Sequence, residues 1–311
     1  MLALTSHSFA LLSPLVPSTS HRSPSPIPTS TRTSSARASM ERSRPHFPFL
    51  PPAHRALMFN LLATVDDRLD SALLPCAVPP DVLSFQNPQG SAHGSVHIRS
   101  GSQSSPVDFV LQSWLHCKTP SGSEINIATL FAFLNSSTDA PHFLFELIQG
   151  SPTSLVLLID LLPRKDLVLH PDYLDEFYQS TNLDGPRREL EQLPQISPYR
   201  SSSLFIRSVL SPTAIAITVD CGKEGPANAI EDIIAGQICS AAEKIVGIWL
   251  EKCAGAGERV VGDGEKEGLE GRDVLIKRNA VEIDLAANLP RMFVPDVAER
   301  VVGELRKAFG V

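Results

Sequence analysis

Glu146 lies in the stretch HFLFELIQG, residues 142–150, with Phe143, Leu144 and Phe145 before it and Leu147 and Ile148 after it. Alternation along a strand puts it on one face with His142, Leu144 and Ile148. Burying an unpaired carboxylate on such a face is costly unless its proton affinity rises and it stays neutral. A carboxylic acid kept neutral in that way is a general acid at physiological pH. The competing reading is a core Glu satisfied by an arginine such as Arg207, or a Glu near a strand end that reaches solvent. Asp284, in RNAVEIDLAANLPRMF (278–293), is the second candidate, and its ordinary reading is a turn or cap before the helix that follows. Asp160 closes SLVLLIDL just ahead of LPRKD, so an ion pair with Arg164 or Lys165 is expected for it. Cys117 reads as a small hydrophobe rather than a nucleophile, because no base accompanies it in the sequence.

Other chemistries leave no mark. There is no GxGxxG after a strand, no GxxxxGK[ST], no HExxH and no GxSxG. GDGEKEG (262–268) is not preceded by an apolar strand and does not read as a phosphate loop. His93 and His97 fall two pleats apart on one strand face, a structural or substrate-facing spacing rather than a metal site. A redox reaction on this chain therefore calls for an external source of electrons or a motif that has been lost.

The elements that must hold these residues are mostly strands. Segments near 93–99, 106–117, 124–134, 141–149 and 154–162 are rich in leucine, β-branched and aromatic residues, and Gly, Ser or Pro bound them. No helical stretch separates them, so they predict antiparallel meanders. Several are apolar on both faces, which requires cover on both sides of the sheet. Helices to supply it are expected at 52–74, 171–179, 185–193, 227–254 and 293–309. Two more strands are expected near 203–210 and 213–220. The fold class is therefore α/β, a three-layer α/β/α sandwich around a mainly antiparallel sheet. Residues 255–276, rich in Gly and charge, read as a mobile surface connection within a single domain spanning 40–311.

Charge and composition bound the function. Formal net charge is −7 over 311 residues, which is no footprint for nucleic acid. No apolar run in the sequence is expected to reach the roughly 18–20 residues that span a bilayer. Five scattered cysteines without a CxxC pair argue against a disulfide framework or a zinc site. Residues 1–39 hold sixteen Ser or Thr, three Arg and no acid, the composition of an organelle transit peptide. Removing Arg22, Arg32 and Arg37 with that segment takes the formal net charge from −7 to −10.

Several segments together resemble one plant enzyme family. They are LLPCAVPPDV, GSVHIRSG, SSPVDFVLQSWLHCK, FLNSSTDAPHFLFELIQ, SLVLLIDLLPRKDLVLHPDYL, SLFIRSVLSPTA and LPRMFVPDVAERVV, in order from about residue 50 to residue 311. They look like red chlorophyll catabolite reductases, and the likeness weakens between 220 and 275. The resemblance implies a chloroplast enzyme, stromal or thylakoid-associated, active in chlorophyll breakdown during senescence and related in fold to ferredoxin-dependent bilin reductases. It implies reduction of the C20=C1 double bond of red chlorophyll catabolite, an open-chain tetrapyrrole, to primary fluorescent chlorophyll catabolite. Electrons come singly from reduced ferredoxin, with no bound flavin, nicotinamide or metal. Implied partners are ferredoxin, pheophorbide a oxygenase as the source of substrate, and a second copy of the chain as a homodimer; no nucleic acid or transmembrane segment is implied. The implied functional carboxylates are Glu146 and Asp284. Tyr199, Arg200 and Ser201 in SPYRSS are implied substrate contacts. Leu210 in SVLSPT is an implied wall of the pocket, standing where some relatives have an aromatic that influences the C1 epimer. Ferredoxin is acidic and so is this chain, so docking needs a basic patch, with Arg187/Arg188, Lys277/Arg278 and Arg306/Lys307 as candidates. The rival class is a tetrapyrrole-sequestering protein without turnover, and a scaffold role in a breakdown complex is compatible with either.

Overall fold

A computed structural model describes residues 46–119, 122–222, 225–226, 228–256, 259 and 261–311, with the side chains of Ile283 and Asp284 outside that description. The proposed transit segment, 1–39, lies outside the described residues. Helix α1 (Pro52–Leu69) opens with proline at its first turn, where a missing N–H is harmless. Its Leu57, Leu61, Leu62, Val65 and Leu69 turn inward at three- and four-residue steps. Eight strands follow: β1 (Phe85–Gln86), β2 (Ala92–Ser100), β3 (Val107–Lys118), β4 (Glu124–Leu134), β5 (His142–Ser151), β6 (Ser154–Leu162), β7 (Ile196–Pro198) and β8 (Ile215–Asp220). They form one sheet in the order β1-β2-β3-β4-β5-β6-β8-β7, antiparallel throughout.

The helices between and after the strands are α2 (Pro80–Leu83), α3 (Pro171–Leu174), α4 (Asp184–Leu190), α5 (Leu204–Val209), α6 (Ala229–Ile233), α7 (Cys239–Trp249), α8 (Asp263–Asn279), α9 (Ala286–Met292) and α10 (Pro295–Phe309). They divide between the two faces of the sheet. One face, with Phe143, Phe145 and Leu147 of β5, packs against α1 and the α6–α7 run. The other, with Leu144 and Ile148 of β5, packs against α8, α9 and α10. The expected three-layer sandwich is what the chain builds. Gly94 is required where β1 meets β2, since a Cβ there would lie 2.6 Å from the Phe85 ring and 2.7 Å from the Leu115 side chain.

Three sequence expectations change. Residues 204–209 are helical, not a strand: Ser203 accepts a hydrogen bond from the Ile206 amide at 3.3 Å and caps the helix. Most of 255–276 is helix α8 rather than a mobile connection. Leu269, Asp273 and Ile276 recur on its buried side, and Asp263 and Glu265 at its start oppose Lys277 and Arg278 at its end across the helix dipole. The run Ala229–Ala254, 26 residues, also contains an 18-residue window of mean hydropathy 1.4, enough by length and composition alone to cross a bilayer. Here it serves as a core helix, with Ile234, Ile238, Ala242, Ile245 and Trp249 buried against the sheet.

Helix α8 is bolted to the sheet by a buried polar cluster. Arg164 Nε and Nη2 donate to the two oxygens of Asp273 at 3.1 and 2.6 Å. His142 Nδ1 accepts the Leu134 amide at 3.0 Å, so its Nε2 carries the proton and donates to Asp273 at 2.9 Å. Burial, aided by Arg164, holds the His142 imidazole down to about 4 despite the neighbouring carboxylate, so the ring is neutral. The Asp273 carboxyl is held below its usual range: His142 and Arg164 outweigh the upward push of burial. Beyond the cluster, Lys165 pairs with Asp139 and Glu265, and Arg259 with Asp139 and Glu176, tying the segment before α8 to the sheet's end.

Candidate active site

Glu146 lies in the middle of β5, completely buried. It points to the face covered by α8–α10, with Leu144 and Ile148 beside it. Strand register sets its neighbours: Thr129 on β4 and Leu158 on β6 stand directly opposite, with Ser113 on β3 beyond Thr129 and Ala216 on β8 beyond Leu158. A transverse row of five side chains thus crosses the sheet under the C-terminal helices, and its only ionisable member is Glu146. Arg207, an anticipated partner, is exposed on α5.

Asp284 belongs to the widened π-helical turn Ala280–Leu285 that joins α8 to α9. Its side chain is outside the described residues. The turn's own Val281 and Leu285 are buried against the Glu146 face, so the Asp284 backbone passes over that face. Helices of this kind with one-turn π insertions recur at functional sites.

A cavity of about 10 Å³ separates the C-terminal helices from the sheet. Its walls include Ser113 and Phe131 from the sheet and Leu285, Leu289, Leu305 and Phe309 from the helices. That is the room of a single water molecule. A second hollow of about 250 Å³, between α4 and α7 on the opposite layer, contains none of the residues expected at the site.

The remaining expected contacts fall beside the same face. Tyr199 donates its amide to the Ala216 carbonyl at 2.8 Å, and both Tyr199 and Leu210 pack against the core under α8–α10. Ser201 is buried, and its hydroxyl accepts the Ser203 amide at 3.2 Å; Arg200 is exposed. The structure therefore gathers Glu146, Tyr199 and Leu210 around one surface and leaves Arg200 at the rim.

Asp160 was expected to pair with Arg164 or Lys165, and it does not. Both cations are committed to Asp273, Asp139 and Glu265. Asp160 is buried on the Glu146 face, opposite Leu144 and hence diagonal to Glu146. It accepts the Ser211 amide at 2.7 Å and the Ser211 hydroxyl at 2.5 Å. Burial pushes its carboxyl up to about 7 even against those two hydrogen bonds. Nothing in the sequence near Asp160 points to Ser211, which lies 51 residues away.

No group of three or more His, Cys, Asp or Glu among the described residues is placed to hold a metal. All five cysteines are free thiols. Of the six basic candidates, Arg187 and Arg188 pair with Asp184, Lys277 with Asp108, Arg306 with Glu282 and Lys307 with Glu304. Arg278 alone of the six has no ion pair among the described residues.

Residues 53–307 match the family model described as red chlorophyll catabolite reductase (RCC reductase). The chain is 49% identical over 274 residues to red chlorophyll catabolite reductase, chloroplastic, of Arabidopsis thaliana, covering 88% of this chain and 85% of that one. It is 51% identical over 261 residues to red chlorophyll catabolite reductase 1, chloroplastic, of Oryza sativa subsp. japonica, covering 83% and 78%. It is 53% identical over 205 residues to red chlorophyll catabolite reductase of Hordeum vulgare, covering 66% and 98%. In structure it resembles tomato phytochromobilin synthase solved in complex with biliverdin, with a TM-score of 0.60 at 14% identity over 83% of this chain and 84% of that one. That likeness establishes a shared fold.

Proposed function

The chain belongs to the red chlorophyll catabolite reductase family, and on that premise we propose that the Glu146 face of its sheet is where the pigment is reduced. The protein is an oxidoreductase that reduces red chlorophyll catabolite, and it works in the chloroplast. The observation that carries the site is Glu146 itself: a fully buried carboxyl at the centre of an apolar face, beneath the C-terminal helices.

The reaction opens the C20=C1 double bond. Two electrons and two protons enter, the π bond is lost, and one C–H bond forms at each carbon. The electrons arrive singly from reduced ferredoxin, with no resident cofactor on this chain. Each added electron builds negative charge on the conjugated pigment. An acid held at the reacting carbon discharges it before it accumulates, and an apolar wall of Leu144, Ile148 and Leu158 keeps competing water away. Glu146 and Asp284 position the pigment and deliver the two protons. Tyr199, Ser201 and Leu210 form its wall on the β8 side, and Arg200 reaches it from the rim. Arg278, with no ion pair among the described residues, is the basic side chain to which acidic ferredoxin docks. The chain works as a homodimer in the stroma, taking its substrate from pheophorbide a oxygenase.

An anaerobic assay with reduced ferredoxin and red chlorophyll catabolite tests this reading. Loss of the red absorbance with growth of blue fluorescence is the expected result. Tight binding of the pigment without turnover would identify a sequestering protein instead. An Arg278→Glu variant with unchanged ferredoxin KM and salt dependence would remove that docking site.

A further inference from the structure

Beside Glu146, the row across the sheet holds two hydroxyls. Ser113 pairs in register with Thr129, and Thr129 with Glu146. Side chains opposite one another in this way stand ~4.5–5.5 Å apart. Ser113 is 2% exposed and Thr129 0%. Neither hydroxyl oxygen has a hydrogen-bond partner among the described residues. Their surroundings explain why: Leu111, Leu115, Ile127 and Phe131 flank them along β3 and β4, and the covering helices present Leu285, Leu289 and Leu305. The backbone cannot serve them, because both strands are central and their amides and carbonyls are used in ladders on either side.

Orphaned hydroxyls are not the habit of this fold. Buried Ser105 accepts the Val107 amide, Ser201 the Ser203 amide and Thr138 the Ala140 amide, while Ser211 donates to Asp160. An unsatisfied buried hydroxyl destabilises a fold relative to an apolar group of the same shape. Two of them, adjacent to each other and to the buried carboxyl, make a polar strip that the folded chain does not use. Ser113 opens into the cavity under the C-terminal helices.

We propose that Ser113 and Thr129 are substrate-binding residues that hydrogen-bond the pyrrole N–H and carbonyl groups of the open-chain pigment and align it across β3–β5 toward Glu146. A hydroxyl suits such a ligand because it accepts from a ring N–H and donates to a lactam carbonyl. The proposal rests on the reductase reading for the identity of the ligand.

The test uses Ser113→Ala, Thr129→Val and Thr129→Ser in the full chain. Melting temperature is measured without pigment. Affinity for red chlorophyll catabolite is measured by anaerobic absorbance titration without an electron donor, and turnover with reduced ferredoxin. The expected result is an unchanged or higher melting temperature in Ser113→Ala and Thr129→Val, with affinity weakened by about three- to tenfold for each. Thr129→Ser should recover most of the affinity. Wild-type affinity in both apolar variants, or a lowered melting temperature in either, would overturn the proposal and mark the hydroxyls as structural. A wild type that binds the pigment but never reduces it would defeat the reductase reading and leave this assignment standing. A wild type without affinity for the pigment would defeat both.

Discussion

Removing the carboxylate of Asp273 should unfold this protein more readily than almost any other single truncation of a polar side chain. Arg164 is 3% exposed, Asp273 5% and His142 0%. In Asp273→Ala the guanidinium of Arg164 keeps its buried position and loses both charge-assisted hydrogen bonds, and His142 Nε2–H loses its acceptor. Breaking one side of a buried ion pair costs ~3–5 kcal/mol. That is about a fifth or more of the ~5–15 kcal/mol that separates a folded domain from its unfolded chain. Urea unfolding at pH 7.5 reads it as a lower midpoint with an unchanged slope, provided the transition stays two-state. The double variant Arg164→Met/Asp273→Leu removes the stranded charge and should recover part of the loss, with a coupling of ~1–3 kcal/mol. Recovery stays partial because His142 Nε2–H loses its acceptor and the carbonyls of Asn135 and Thr138 each lose the hydrogen bond that Arg164 donates. A loss below ~1 kcal/mol in Asp273→Ala, or a double variant no more stable than the single, would refute the assignment of this cluster as the bolt of α8.

Three further outcomes follow from the same structure. Glu146→Gln keeps size and polarity and removes acidity, so turnover with reduced ferredoxin should fall ~10²–10⁴-fold while pigment affinity changes little; normal turnover would end the proton-donor role. Asp160→Asn should remove a pH dependence: a carboxyl raised from 3.8 to about 7 binds its proton more tightly in the fold, so wild-type stability from this group is present at low pH and lost as pH rises through that window. Urea titrations at pH 5 and 8 should therefore find the variant gaining on the wild type at pH 8, and a constant difference would show that Asp160 does not titrate there. Leu305→Ala should cost ~2–5 kcal/mol of stability by enlarging the cavity it lines, without weakening pigment affinity; a weaker affinity in proportion would place the pigment elsewhere.

Strand patterns were legible because this sheet is buried on both faces. Runs such as FVLQSWLHC and FLFELIQ are too apolar and too short to be anything but central strands, and each falls within two residues of its place in the sheet. What misled was tertiary context. SSSLFIRSVL has the composition of a strand, and only the capping by Ser203 distinguishes the helix it forms. The glycines at 264, 268 and 271 of α8 read as breakers, yet helix formation there is carried by Leu269, Asp273 and Ile276 packing on the sheet. Asp160 and Arg164, four apart in sequence, looked like partners; each instead binds a residue from a distant segment, Ser211 and Asp273. Glu146 stood out because one charge in an apolar run is visible without any pairing information. Ser113 and Thr129 did not, since a single hydroxyl in a strand is unremarkable until register sets the two side by side next to a carboxyl.

The cavity and the polar row bear on each other. A pocket that encloses a ligand of drug size spans about 300–1,000 Å³, and an open-chain tetrapyrrole is no smaller. The space under α9 and α10 is about 10 Å³, so a pigment bound at the proposed site would require the C-terminal layer to part from the sheet. The anchors are distributed in a way that says where. Helix α8 is held by the buried Arg164–Asp273–His142 cluster, whereas the ion pairs of α10 are the exposed Arg300–Asp81 and Arg306–Glu282. Between them lie the π-helical turn of Ala280–Leu285 and Pro290 inside α9, both irregularities that weaken a helix as a rigid rod. Separation at α9–α10 sacrifices apolar contact with Phe85, Leu115 and Phe131. It would also uncover Ser113 and Thr129, whose hydroxyls have no partner among the described residues, and a pigment bound there as proposed would replace the lost apolar contact and pair the hydroxyls. On the proposed site, the layer that must part is thus the one without a buried ionic anchor to the sheet among the described residues, and Glu146, beside Thr129 in that row, would lie next to a pigment that covers the row.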